Sequence, residues 1–238
     1  MKGTLKTFER YETKYLLTKT QYEGFIKDYG CMLTPDDYPE SLIQNVYYDT
    51  PNYRLIRESI EKPVYKEKLR LRAYNEIDET GTAFLEVKKK YEGIVYKRRE
   101  TMNLKTARKM VEEKAAVSEN DSQIKKELAW FVKFYGRLVP AMYLSYNRVA
   151  KVHKEDPDIR ITFDRDITFR NKDVNLTSGS YGRKLLPEGS VLMEIKVPGY
   201  LPIDMVRVME KYRIYPTSFS KYGEAYKIVS GLHVGYAM

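Results

Sequence analysis

The sequence predicts an α+β fold in which helices surround an antiparallel β-sheet or barrel. Seven or eight segments alternate polar and apolar residues with the period of two that is typical of strands. Other segments, chiefly residues 104–134 and the last part of the chain, carry apolar residues at helical spacing. The 238 residues are 42% hydrophobic and 32% charged, which allows a sizeable core. No repeat or linker divides the chain, so residues 1–238 are expected to form a single domain.

The predicted elements follow one another with short connections. Thr18 is a candidate N-cap for the first helix, and Gly30 is expected to end it. Residues 34–41, which are rich in Pro, Asp and Ser, predict a loop, and Glu92-Gly93 predicts a tight turn. The predicted strands are residues 8–17, 42–48, 64–74, 82–91, 93–101, 141–151, 159–169 and 191–197. The predicted helical regions are residues 21–29, 52–59, 104–134, 203–212 and 221–229.

The composition restricts the partners and the metal chemistry. Lys and Arg number 42 and Asp and Glu number 33, so the net charge of +9 favours an anionic partner such as nucleic acid, an acidic membrane surface or a polyphosphate. The single Cys31 excludes an intramolecular disulfide and a cysteine-based metal cage. The Cys31 thiol is expected to be buried, whereas His153 and His233 are expected at the surface. Because two histidines are too few for a histidine-rich site, any metal should be Mg²⁺ or Mn²⁺ held by carboxylates.

The chain shows no signal for a membrane segment. The first residues contain no apolar stretch like that of a signal peptide, and no run of about 18 apolar residues occurs. We therefore expect a cytoplasmic protein.

The segment Tyr65–Tyr74, YKEKLRLRAY, aligns four cations on one face of a predicted strand. Lys66, Lys68, Arg70 and Arg72 occupy every second position, and leucines and an alanine fill the other face. Charged and apolar faces also oppose each other in other predicted strands, and the spacing Glu-x-Lys occurs three times in these strands. These charged positions are Glu12, Lys14, Glu86, Lys88, Arg148, Arg160, Asp164, Glu194 and Lys196. In IVYKRRE, the same face holds either Arg98 or the pair Lys97 and Arg99, and the pattern leaves both open.

Two arrangements fit these charged faces. Solvated faces of an antiparallel sheet often carry Lys and Arg. Alternatively, the faces point into a barrel, where two like charges about 8 Å apart repel by roughly 2 kcal/mol at an effective dielectric constant of about 20. Bound phosphates and a divalent cation would relieve that repulsion, since Arg and Lys bind phosphate oxygens and carboxylates hold the metal. The recurrence of one carboxylate beside the cations on several strands favours the second arrangement.

Several stretches, in this order, resemble the VTC domain of the triphosphate tunnel metalloenzyme (CYTH-like) superfamily. They are FERYETKYLL, VYYDTP, EKLRLRAY, FLEVKKKYEGIVYKRRE, RITFDRDI, LMEIKV and SFSKYGEAY. The superfamily signature Glu-x-Glu-x-Lys here begins with arginine, in Arg10-Tyr11-Glu12-Thr13-Lys14. This departure resembles the VTC branch and removes one potential metal ligand.

The resemblance implies a closed eight-stranded antiparallel β-barrel, the triphosphate tunnel, with surrounding helices. It implies Mn²⁺ or Mg²⁺ as the cofactor, held by Glu194 with Glu12 and Glu86, and catalytic roles for Glu194, Lys221 and Arg160. The implied phosphate-binding residues are Lys14, Arg70, Arg72, Lys88, Arg98, Arg148, Arg160, Lys196, Ser220 and Lys221. The implied substrates are ATP or another nucleoside triphosphate and inorganic triphosphate or polyphosphate.

The favoured activity is metal-dependent phosphoryl transfer, with polyphosphate synthesis from ATP as its specific form. A hydrolase with water as the acceptor is the first alternative, because the same tunnel would serve both reactions. A non-catalytic module that binds polyphosphate or RNA is the second. RNA is disfavoured, because no repeat of aromatic and basic residues occurs and three carboxylates interrupt the basic faces.

Overall fold

The computed structural model describes residues 11–92 and 94–232, and its elements alternate in small groups along the chain. The strands are β1 (Tyr11–Leu17), β2 (Leu33–Asp49), β3 (Tyr65–Tyr74), β4 (Thr82–Tyr91), β5 (Ile94–Asn103), β6 (Val139–His153), β7 (Arg160–Arg170), β8 (Arg183–Lys184), β9 (Val191–Val197) and β10 (Pro216–Thr217). The helices are α1 (Lys19–Tyr29), α2 (Arg54–Ile60), α3 (Leu104–Glu112), α4 (Gln123–Tyr135), α5 (Ile203–Lys211) and α6 (Lys221–Val229). The α+β class predicted from the sequence is confirmed.

All ten strands join one antiparallel sheet. Its order is β10-β1-β9-β7-β6-β2-β3-β4-β5, and β8 pairs with β7 beside this path. Within the described residues, the strand pairing begins at β10 and ends at β5 without closing. The sheet therefore has more strands than the eight expected, and the closed barrel stays a prediction.

The sheet is nevertheless strongly curved. Glu12 on β1 and Lys88 on β4 are six strand-to-strand steps apart, which in a flat sheet would separate them by about 29 Å. The Lys88 Nζ atom lies 3.6 Å from Glu12 Oε1. The two halves of the sheet consequently face each other across a concave side, and the charged residues line it.

The convex side carries the main apolar cores under the helices. Leu69 and Val87 pack in a cluster with residues of α3 and α4, such as Leu128. Phe163 and Met193 pack in a second cluster with residues of α1 and α5. In most small barrels the apolar faces of the strands point inward. Here the apolar faces point outward under the helices, and the charged faces line the concave side.

Helix α6 fills part of the concave side. Tyr222 is 1% exposed and its ring stacks on Tyr47 with centroids 4.6 Å apart. Its hydroxyl donates to Asp49 Oδ2 at 2.8 Å. Ser220 caps the helix by accepting from the backbone N–H of Gly223 at 3.2 Å. The N-terminal end of α6 therefore lies beside the charged residues of the concave side.

Local signals predicted the first helix well. Thr18 Oγ1 accepts from the Gln21 backbone N–H at 3.2 Å, and Gln21 Oε1 accepts from the Thr18 N–H at 2.9 Å, which completes a capping box. Helix α1 ends at Tyr29, as predicted, although a short 3-10 helix over Gly30–Met32 follows it.

The prediction of a loop at residues 34–41 was wrong. These residues belong to β2, which pairs with β6 on both sides of a register shift between Pro35 and Glu40. The long partner strand outweighs the local preference of Pro and Asp for turns. Strands β8 and β10 were missed because two residues are too few to show alternation.

Four further expectations concern single residues or the chain start. Cys31 is exposed and His153 is 4% exposed, so both expectations were wrong. His153 Nε2 lies 2.9 Å from the Tyr29 hydroxyl, which explains why a polar ring is tolerated inside. Residues 8–10, with Arg10, and His233 lie outside the described residues. No helix in the described ranges has the length and apolarity needed to cross a membrane.

Candidate active site on the concave face

Two carboxylates on neighbouring strands share a set of lysines. Antiparallel pairing places Glu12 opposite Lys196 and Lys14 opposite Glu194. Lys14 Nζ lies 3.8 Å from Glu12 Oε1 and 3.9 Å from Glu194 Oε2. Lys196 Nζ lies 3.2 Å from Glu194 Oε1 and 3.9 Å from Glu12 Oε2, and Lys88 approaches from the opposite strand. We call these five residues the carboxylate–lysine cluster.

Glu194 is ionised in this cluster although it is only 8% exposed. Burial opposes its charge, but Lys196, Lys14 and other cations outweigh burial and hold the pKa of the carboxyl below its ordinary value. The Glu194 carboxylate is thus available as a metal ligand throughout the neutral range.

Asp164 organises a second group of predicted residues. Its side chain is fully buried and accepts two hydrogen bonds from Arg148, at 2.6 Å from Nε and 2.8 Å from Nη2. Lys221 Nζ donates to Asp164 Oδ2 at 2.6 Å. The carboxylate fixes both cations beside the carboxylate–lysine cluster. The alternation of RITFDRD predicts Asp164 on the charged face of its strand, but nothing in the sequence predicts a site role for it.

Tyr146 lies between these cations and was not predicted as a site residue. The Arg148 guanidinium lies 5.3 Å from its ring centroid, and Lys221 Nζ lies 4.3 Å away. Burial raises the pKa of the Tyr146 hydroxyl, but Arg72, Arg148 and Lys221 outweigh burial and bring the pKa to about 8. The depressed pKa indicates a strongly positive local potential.

Glu86 belongs to a separate group that does not suit a divalent cation. It is fully buried and contacts Arg70 and Arg99 at 2.5 Å each and Lys97 at 2.9 Å, with Arg72 at 4.0 Å. Four cations around one carboxylate would repel a metal ion. The structure therefore does not join Glu86 to Glu12 and Glu194, as the predicted metal-ligand set would require.

The structure separates Arg98 from the other predicted phosphate ligands. Lys97 and Arg99 point to the concave side, where they contact Glu86. Arg98 points to the convex side, where its Nε lies 3.1 Å from Glu127 on α4. The alternation left open by the sequence is thus decided in favour of Lys97 and Arg99.

Arg160 and Ser220 occupy different parts of the site. The Arg160 side chain is 48% exposed, and its nearest acidic partner, Asp36, lies 3.9 Å away. In the strand pairing, Arg160 lies opposite Lys196. Ser220, besides capping α6, accepts a hydrogen bond from Lys68 Nζ at 2.9 Å. Arg160 is therefore placed at the edge of the site and Ser220 inside it.

Lys68 is a site residue that the sequence analysis did not select, although it stands in YKEKLRLRAY. Among the residues that the structure describes, we find no ion pair within 4.0 Å of its ammonium group. Burial, reinforced by the charges of Lys14, Lys66, Lys88 and Arg70, lowers the pKa of Lys68 to about 7. The amine thus occupies a place that suits an anion, with no acidic side chain bound to it.

We expect Lys68→Met to stabilise the ligand-free protein at pH 7. A lysine in the unfolded chain titrates near 10.4, so between pH 7 and 10 the unfolded state binds more protons than the folded state. Lys68 therefore lowers the free energy of unfolding of the wild type increasingly as the pH falls from 10 to 7. The free energy of unfolding should exceed that of the wild type by at least about 1 kcal/mol at pH 7 and by less at pH 10. Urea denaturation at both pH values measures this, and an equal difference at both would contradict the assignment.

The separation of Arg98 from Lys88 predicts unequal effects on anion binding. Lys88→Ala should weaken the binding of inorganic triphosphate by about tenfold, since it removes a cation of the concave face. Arg98→Ala should change the affinity by less than about twofold, because Arg98 lies on the other side of the same hairpin. Isothermal titration calorimetry at fixed salt compares them, and equal losses would place the anion elsewhere.

The carboxylate–lysine cluster fits a metal that is shared with a ligand. Glu12 and Glu194 offer hard oxygen donors of the kind that Mg²⁺ and Mn²⁺ prefer. No group of three or more His, Cys, Asp or Glu residues within residues 11–92 and 94–232 could hold a metal by itself. Two carboxylates leave several coordination positions for water and for oxygens of a bound anion, which is the usual arrangement for Mg²⁺ on phosphates.

Comparison with known proteins gives the family and the fold. The sequence model of the VTC domain matches residues 9–230. A putative adenylate cyclase from Bacillus halodurans is structurally similar, with a TM-score of 0.54, 13% identity, and 90% of this chain and 93% of that chain covered. A putative adenylyl cyclase from Hippeastrum with a dominant triphosphatase activity has a TM-score of 0.52, 16% identity, and coverage of 94% and 96%. No protein of curated function matches by sequence.

Proposed function

Because the chain belongs to the VTC domain family, we propose that its concave face binds ATP and polyphosphate and synthesises polyphosphate by metal-dependent phosphoryl transfer. The observation that carries the proposal is the carboxylate–lysine cluster, in which Lys14, Lys88 and Lys196 face the paired carboxylates Glu12 and Glu194. Phosphoryl transfer needs positioned cations and a metal more than it needs a side-chain nucleophile.

The lengths of the ion pairs indicate which cations are free to exchange partners. Contacts within the carboxylate–lysine cluster are 3.2–3.9 Å long, so phosphate oxygens could replace them without breaking short hydrogen bonds. Arg148 and Lys221 stay bound to Asp164 at 2.6–2.8 Å. We assign the first set to binding the mobile phosphate chain and the second to holding a fixed positive charge beside it.

Glu194 and Glu12 are the residues that would hold Mg²⁺ or Mn²⁺. The metal would neutralise charge on the phosphate oxygens that it binds. Lys14 and Lys196, which contact both carboxylates, keep them close to each other. The two carboxylates thus lie side by side within a cationic surface. Such a site suits a metal ion that is bound by the protein and by the phosphates of the substrate at the same time.

The proposed acceptor is the end of a growing polyphosphate chain. A closed tunnel would hold that chain along its length, and the curvature that brings Lys88 to Glu12 supports such an enclosure. Helix α6 fills one end of the concave side, so the chain would enter from the other. Arg160, at the edge of the face, would contact the entering anion.

Hydrolysis of a triphosphate is the second candidate function. The structurally similar Hippeastrum protein has a dominant triphosphatase activity, and a water molecule needs no further side chain to act as the acceptor. Both reactions would use the same cations and the same carboxylates. Binding of polyphosphate or RNA without catalysis is the remaining alternative.

The test is incubation of the purified protein with ATP and Mn²⁺, with products resolved by ³¹P NMR. Internal phosphate resonances of long chains, absent when EDTA replaces Mn²⁺, would support polyphosphate synthesis. Orthophosphate and ADP alone would replace this proposal with the hydrolase. If neither product forms while triphosphate still binds, the enzymatic proposal is wrong and the protein is a binding module.

A further inference from the structure

Exposed aromatic residues gather on the convex surface, away from the candidate active site. On α4, Trp130 and Phe134 are each 57% exposed, and their rings stack with centroids 5.0 Å apart. At the end of the β3–β4–β5 sheet, Tyr65, Tyr91 and Tyr96 are 47%, 47% and 49% exposed. We call these five residues the aromatic surface. Packing of α4 on the sheet does not explain Trp130 and Phe134, because the helix buries Leu128, Phe131 and Val132 instead.

The contacts of α4 show that these residues form one area. Glu127 pairs with Arg98 in the middle of β5, and the Tyr135 hydroxyl donates to Glu67 at 2.6 Å. Glu67 pairs in register with Lys89, which in turn pairs with Tyr96. The helix therefore runs from the middle of β5 to β3, where its last turn reaches Glu67, two strands from Tyr96. The Tyr65 hydroxyl also donates to Glu67, at 2.6 Å, which joins the end of α4 to the tyrosines of the hairpin end. Tyr65 and Tyr91, which are also register partners, follow two positions farther on.

Cations surround the aromatic surface. Lys133 and Arg137 are exposed at the end of α4, and Lys89 lies on the same face of β4 as Tyr91. Glu127 pairs with Arg98. Two other carboxylates lie nearby: the buried Glu67, which accepts from the Tyr65 and Tyr135 hydroxyls, and Glu92 in the turn. The whole chain carries a net charge of +9, so its positive long-range electrostatic potential adds to that of the neighbouring cations.

We propose that the aromatic surface docks the protein peripherally on an anionic lipid bilayer. Trp and Tyr rings favour the interface between headgroups and acyl chains, and neighbouring Lys and Arg bind lipid phosphates. A bilayer fits better than a protein partner, because the rings spread over two separate elements, a helix and a hairpin end, and exposed cations flank them. This docking does not depend on the reaction catalysed. It would leave the concave face open to its substrate, since the two surfaces lie on opposite sides of the sheet.

The single tryptophan makes the docking directly measurable. Trp130 is the only tryptophan in the chain, so its fluorescence reports this surface alone. The protein is mixed with phosphatidylglycerol vesicles or with phosphatidylcholine vesicles, with millimolar inorganic triphosphate present to occupy the concave face. We expect co-sedimentation and a blue shift of the emission with the anionic vesicles, and quenching when the acyl chains are brominated. An unshifted, unquenched emission, with or without sedimentation, would overturn the proposal.

Variants separate the aromatic surface from the general positive charge. Trp130→Ala combined with Phe134→Ala should lower the fraction bound to anionic vesicles at least tenfold and leave the melting temperature unchanged. Tyr200→Ala, at a residue that is 97% exposed elsewhere, is the matched control and should bind as the wild type does. Equal binding by the double variant would overturn the proposal, as would loss of binding on addition of triphosphate, which would place the lipid on the concave face. Self-association through this surface without vesicle binding would also overturn it, in favour of a second copy of the chain.

Discussion

Glu194→Gln is expected to lower the turnover of ATP or triphosphate with Mn²⁺ by on the order of 100-fold or more. The substitution keeps the size of the side chain but removes the negative charge that Lys14 and Lys196 face. Glu12 alone would then remain as the carboxylate of the proposed metal pair. Initial rates at saturating Mn²⁺ measure the effect.

The same variant should bind inorganic triphosphate at least as tightly as the wild type when EDTA is present. Without a metal, the Glu194 carboxylate repels the anion, and glutamine relieves that repulsion. Glu23→Gln, on the exposed surface of α1 with the side chain 61% exposed, is the control and should retain full activity. Turnover by Glu194→Gln within threefold of the wild type would falsify the role of Glu194 as a metal ligand.

Glu86→Gln should destabilise the folded protein by about 3 kcal/mol or more at pH 7. The fully buried carboxylate is the shared partner of Arg70, Lys97 and Arg99, and glutamine would leave these cations close together without a counter-charge. Urea denaturation of both proteins measures the difference. Glu127→Gln breaks the exposed pair with Arg98 on the same hairpin and should cost less than about 1 kcal/mol.

Lowering the pH should reduce the difference in the free energy of unfolding between the wild type and Glu86→Gln. Burial raises the pKa of the Glu86 carboxyl, but Arg70, Arg72 and Lys97 outweigh burial and hold it well below its ordinary value. A depressed pKa contributes stability that is fully present above the unfolded pKa near 4.3 and is lost as the pH falls towards the folded pKa. The two stabilities should thus converge below about pH 4. A difference that stays constant down to pH 3 would count against the charge-based explanation.

The alternation within single strands was readable from the sequence because it depends on local geometry alone. In YKEKLRLRAY, the period of two placed Lys66, Lys68, Arg70 and Arg72 on one face, and the structure confirms that the opposite face carries the buried Leu69 and Leu71. The alternation failed where it was ambiguous. In IVYKRRE, both faces hold cations, so only the contacts with Glu86 and Glu127 separated Lys97 and Arg99 from Arg98.

The grouping of the carboxylates could not be read from the sequence, because it depends on which strands face each other. Glu12, Glu86 and Glu194 stand in the same Glu-x-Lys spacing, and nothing local distinguishes them. Curvature of the sheet brings Lys88 to Glu12, whereas Glu86, two residues earlier on the same strand, lies among arginines from β3 and β5. Asp164 gained its position between Arg148 and Lys221 in the same way, through α6.

The sequence by itself determined the α+β class, the VTC family, most of the helices and strands, and the charged face that runs along the strands. These depend on periodicity, capping residues and a recognisable order of motifs, all of which are local or cumulative along the chain. Only the tertiary structure decided which charges meet, that Lys68 is half-buried with no acidic partner among the described residues, and that Trp130 is exposed on α4. The reason is physical: the energy of a charge or an exposed ring depends on neighbours and solvent in three dimensions, and distant strands supply those neighbours.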